Sequence, residues 1–131
     1  METGTLLILF ESGQATLDEA AEALKGRGFE VEKRTLETGG EVLTAQYESG
    51  PVFHVCFNDS DHVVEESREI GEGTEFTEQL SRCSVRFEVI IEDLDQAIDE
   101  MNSLIELQLT LQSLTNGFIL NCWNGELSEP E

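Results

Sequence analysis

His54 and Cys56 stand two apart in the run Val52-Phe-His-Val-Cys-Phe57, so in a strand both side chains point to one face; His62 follows closely, beside Asp59 and Asp61. Imidazole and thiolate are the donors a transition metal prefers, and His54, Cys56 and His62 are therefore the candidate metal ligands. The sequence has no CxxC or HxxxH spacing, however, and a histidine among Val52, Phe53, Val55 and Phe57 is also what a packed strand would carry. No cofactor is expected.

The same residues bear on nucleophilic catalysis. A thiolate–imidazole pair formed by His54 with Cys56, or by His62 with Cys83 or Cys122, needs an orienting third group and an oxyanion site, and no spacing identifies either. Neighbouring carboxylates also oppose ionisation of a thiol. A second constellation is acidic: Asp59, Asp61, Glu65, Glu66 and Glu69 crowd a short segment that lacks the glycine and glutamate positions of an EF-hand loop. It reads as a solvated acidic face. Glu11-Ser12-Gly13-Gln14 after the first apolar run has neither the lysine nor the glycine spacing of a phosphate-binding loop.

Charge is the strongest signal in the chain. Asp and Glu number 28 against 7 Lys and Arg, a net charge of −21, and no Lys or Arg follows Arg86. Such a chain repels phosphate polyanions and anionic bilayers, because binding them depends on cations that displace counterions. Nucleic-acid and membrane partners are excluded on that ground. A basic protein is the partner such a field attracts, and the contact residues expected are Asp59, Asp61, Glu65, Glu66, Glu69, Asp95 and Asp99, with Trp123 as a candidate aromatic anchor.

Three functions compete on these observations. The first is a non-catalytic acidic binding protein, of the inhibitor or immunity kind, that masks a basic partner. The second is a small metal- or ligand-binding enzyme domain using His54, Cys56, His62 and the nearby carboxylates. The third is a homo-oligomer formed through a sheet edge or helix face. The apolar run Leu6–Phe10 is far shorter than the roughly 20 residues of a membrane span, and three cysteines cannot all pair within one chain; a cytoplasmic setting with reduced thiols is expected.

The elements that must position these residues follow from periodicity. A length of 131 residues suits one domain, expected over residues 1–125, with 126–131 a frayed acidic tail. Residues 5–10 read as a central strand, and Thr16 with Glu19 forms a capping-box pattern opening a helix that Gly26 and Gly28 close. Strands are expected at 29–36, 42–48 and 52–58, joined by Gly39-Gly40 and Ser49-Gly50-Pro51 turns. Helix follows near 60–70 and more weakly near 74–80, then a strand at 84–91 and a helix from Glu92-Asp93.

That last helix is expected to end near Leu104, since its apolar face would otherwise be filled by Gln108 and Gln112. Leu107, Leu109 and Leu111 alternate at period two and predict a strand, turned at Asn116-Gly117 into a final strand to Trp123. The fold class is α+β: a two-layer sandwich of a mostly antiparallel or mixed sheet with helices on one face, built from two β-α-β-β units in the ferredoxin-like manner.

Overall fold

The computed structural model describes residues 2–130. Its elements are β1 (Gly4–Phe10), α1 (Leu17–Gly26), β2 (Phe29–Thr35), β3 (Glu41–Tyr47), β4 (Val52–Asn58), α2 (His62–Gly71), α3 (Thr77–Ser81), β5 (Val85–Ile91), α4 (Leu94–Asp99), α5 (Met101–Thr115), β6 (Phe118–Asn121) and β7 (Glu126–Ser128). All strands join one sheet in the order β2-β3-β4-β5-β1-β6-β7, and every neighbouring pair is antiparallel. The protein is thus α+β. No described helix is long and apolar enough to cross a membrane.

β1 shows how sequence parity builds the two sides. Leu6, Ile8 and Phe10 enter the main core with Phe53, Val55, Phe87, Val89 and Ile91, covered by Ala20 and Leu24 of α1, Ala97 of α4 and Leu104, Leu107 and Leu111 of α5. Leu7 and Leu9 point the other way and pack with Leu80 and Cys83 around α3, Phe118 of β6 and, at its margin, Ile70 of α2. Helices on one face is therefore right for α1, α4 and α5. The short α2–α3 segment lies on the opposite face, because the second set of β1 leucines also needs cover.

The capping box forms as expected: Glu19 N–H donates to Thr16 Oγ1 at 3.1 Å, and Thr16 N–H donates to Glu19 Oε1 at 3.0 Å. The second half departs from expectation. Glu100 breaks the helix that opens at Asp93, where Asp99 and Glu100 oppose the negative end of α4. α5 then runs through the segment expected to be a strand, as far as Thr115. Asn116 is not a hairpin turn but a left-handed helix cap at φ 54°, its N–H donating to Gln112 O at 2.7 Å.

The glutamines that argued against a helix explain it. Gln112 Nε2 donates to Gly117 O at 3.1 Å and to Glu129 O at 2.9 Å, while Gln108 Nε2 donates to Asn121 Oδ1 at 2.9 Å. The two glutamines thus bond carbonyls just before β6 and just after β7 and the side chain of Asn121, leaving Leu104, Leu107 and Leu111 to fill the core. The same bonds organise the tail. Glu126–Ser128 pairs with β6 instead of fraying.

Candidate binding surface

Strand register assembles the polar face. Cys56 lies opposite Glu88, Asn58 opposite Arg86, and His54 between Thr44 and Ile90. Arg86 and Glu88 share a face because they are two apart in β5, in place of the leucines that occupy the same rows of β1. This is the central feature that motif reading missed, although opposite charges at period two in Val85-Arg-Phe-Glu-Val89 are a visible signal.

Arg86 is only 7% exposed. Its Nε donates to Glu88 Oε2 at 2.8 Å and its terminal nitrogens lie 2.7 Å from Glu88 and 3.4 Å from Glu66 of α2. Asn58 Nδ2 adds a bond of 2.9 Å to the same Glu88 oxygen. Asn58 Oδ1 in turn accepts from Ser60 N–H at 3.0 Å, and Ser60 Oγ sits 3.0 Å from His62 Nδ1. His62 Nε2 closes the chain at 3.4 Å from Glu66. One network therefore fastens the start of α2 to β4 and β5.

The electrostatics are structural in character. Burial pushes the Glu88 carboxyl up, but the bonds from Asn58 and Arg86 outweigh it and hold the group below the usual carboxylate range. Burial raises the Cys56 thiol, with Glu88 adding to it. Burial likewise raises Cys122, and Cys83 is pushed up to about 11, chiefly by burial and then by Glu11. None of the three is an activated nucleophile. Ser67 Oγ, buried under α2, is left without a hydrogen-bond partner.

The candidate metal ligands separate. His54 Nε2 meets Glu92 at 2.6 Å and its Nδ1 lies 3.5 Å from Thr44 Oγ1, whereas His62 belongs to the Ser60–Glu66 network and Cys56 borders Glu88. Among the described residues no group of three or more His, Cys, Asp or Glu is placed to hold a metal ion. The clefts are equally unpromising for small-molecule chemistry. One of about 200 Å³ beside Phe76, Arg82 and Cys83 is smaller than the ~300 Å³ at which ligand pockets begin. Another, of about 370 Å³ beside Leu17 and Phe57, offers only Asp18 and Glu41 as ionisable groups. Both are engaged by Lys33, at 2.7 and 3.1 Å.

The acids divide into two groups. Asp59, Asp61, Glu65 and Glu69 are exposed along and before α2, Glu66 is half-buried, and Glu72, Glu75 and Glu78 continue the exposed series to α3. Among the described residues, ion pairs form on this ridge only at Glu66, through Arg86 and His62, and at Glu78, 3.8 Å from Arg82; Arg68, exposed in the last turn of α2, stands within the acidic series without pairing to it. Asp95 and Asp99 are also exposed, but they belong to α4, on the other face of the sheet. Trp123 is half-buried against the main core, on the α4–α5 side, and does not border the ridge. No protein-family model matches the sequence, and no curated protein matches it.

Proposed function

We propose that the protein is a non-catalytic acidic module that binds a basic protein through the α2–α3 ridge, as an inhibitor or immunity-type protein masking a cationic surface would. The observation that supports this reading is the run of exposed carboxylates Asp59, Asp61, Glu65, Glu69, Glu72 and Glu75, which lacks cationic partners among the described residues while the network behind it holds α2 in place. An array of exposed carboxylates that far outnumber the one cation among them, Arg68, speeds encounter with a positive surface and gains from the counter-charges of a basic partner. The scaffold is read as ferredoxin-like β-α-β-β units with α1, α4 and α5 layered on one face of the sheet and the short α2–α3 segment added on the other, supported by the strand-helix-strand-strand order of β5 to β7. Three unpaired thiols suit a reducing, cytoplasmic compartment.

The test compares two charge reversals of the same size. Titration of the chain with lysozyme as a defined basic probe should give binding that weakens at least tenfold between about 20 and 300 mM NaCl. Glu65→Lys with Glu69→Lys should abolish it, while Asp95→Lys with Asp99→Lys should change it less than threefold. Equal effects from the two pairs would mean that net charge, and not the ridge, attracts the probe, and the proposal would be withdrawn.

A further inference from the structure

Two of the chain's asparagines precede glycine, in Asn116-Gly117 and Asn124-Gly125. Beside glycine an asparagine side chain can close on its own backbone, because no Cβ on the following residue obstructs the approach of the glycine nitrogen to Cγ. Along the sequence the two pairs are equivalent. The fold treats them differently. Gly117 is buried, and a Cβ there would stand 2.6 Å from the Leu9 carbonyl oxygen of β1. Its N–H donates to Thr115 Oγ1 at 3.1 Å and its carbonyl accepts from Gln112 Nε2 at 3.1 Å, while Asn116 holds the left-handed cap of α5. Moving Gly117 N onto Asn116 Cγ would disrupt all of these.

Asn124 and Gly125 are exposed in the turn between β6 and β7, and nothing lies within 4 Å of the position that a Gly125 Cβ would take. Gly125 N–H donates to Asn121 O at 2.8 Å, but this bond sits beside an edge strand only three residues long. Such a turn opens at small cost compared with a buried helix cap. Asn124 Oδ1 accepts from Glu126 N–H at 2.9 Å, which draws electron density from Cγ; Nδ2 donates to Glu126 Oε2 at 3.4 Å.

We propose that Asn124 is a site of spontaneous covalent modification, in which Gly125 N attacks Asn124 Cγ and the Cγ–Nδ2 bond breaks. The proton lost by Gly125 N goes to the departing nitrogen, ammonia is released and a succinimide ring remains. Water then opens the ring. Attack at Cγ gives aspartate; attack at the main-chain carbonyl gives isoaspartate, whose backbone carries an extra methylene. At neutral pH either product adds one carboxylate to a net charge of −21. Isoaspartate also shifts β7 from its register with β6, where Asn121 faces Glu126 and Leu120 faces Leu127, and loosens the Glu129 carbonyl that Gln112 holds.

Chymotryptic peptide mapping of protein aged at neutral pH separates the two sites, since Phe118 and Trp123 lie between them. In the folded chain Asn124 should convert at least about tenfold faster than Asn116; in urea that unfolds the chain, the two rates should come within about threefold of one another. Anion exchange should resolve a later-eluting species that Asn124→Gln removes and that Asn116→Gly, which keeps the left-handed cap, does not. In the isoaspartate fraction of that species the backbone amides of residues 126–128 should exchange with solvent faster than in fresh protein. Equal rates in the folded chain, a difference that persists in urea, a late-eluting species indifferent to Asn124→Gln, or unchanged exchange at 126–128 would overturn the inference.

Discussion

Glu88 illustrates how one residue ties chemistry to stability. Its carboxylate is held below the ordinary range in the folded chain because Asn58 and Arg86 bond to its charged form. A group with a depressed folded value contributes stability that is fully present above its unfolded pKa, about 4.3, and is lost as pH falls through the folded value. The urea midpoint should therefore fall more steeply below pH 4.5 in the native chain than in Glu88→Gln. At pH 7 that substitution should cost about 2 kcal/mol, because Arg86 stays buried with only Glu66 at 3.4 Å; the figure is reduced from that of a fully buried pair for the solvent exposure of Glu88. An equal pH slope in the two chains would show that the contact contributes nothing to folding.

Among the elements, α5 carries the largest consequence of tertiary context. Its inner residues Leu107 and Leu111 are fully buried, and Leu109 between them is exposed. A helix therefore predicts unequal costs: Leu107→Ala or Leu111→Ala should lose about 2–5 kcal/mol and Leu109→Ala less than about 1 kcal/mol in chemical denaturation of dilute protein. A strand with period two would give all three leucines one face and similar costs. The edges of the sheet follow a related logic. β2 is an edge strand carrying Glu30, Glu32, Lys33 and Arg34, and β7 at the other edge is three residues long, so neither presents a long apolar ladder for edge-to-edge pairing.

The whole molecule is shaped by its surplus of carboxylates. The unpaired ridge on one face of the sheet and the acids of α1 and α4 on the other repel one another through the folded structure, and unfolding relaxes that repulsion. Raising NaCl from 20 to 300 mM should therefore raise the thermal midpoint, by about 5 °C at this chain length, and Glu65→Lys with Glu69→Lys should raise it at low salt while reducing the salt response. A midpoint unaffected by salt would mean that the acids lie too far apart, or too well hydrated, to oppose folding. The sequence itself determined what depends on neighbours along the chain: the capping box at Thr16 and Glu19, the continuous apolar run of β1, the alternation of Val85, Phe87 and Val89 in β5, the glycine turns, the acidic run after Asn58, and the α+β class. Only the tertiary structure decided what depends on groups far apart in sequence. Gln108 and Gln112 count as polar interruptions until β6 and the C-terminal segment supply their partners, which is why α5 is a helix and the tail a strand. Arg86 and Glu88 become a buried anchor only when β4 and α2 close over them. Asp95 and Asp99 part from the other acids because a sheet, invisible in a linear tally of charge, stands between them.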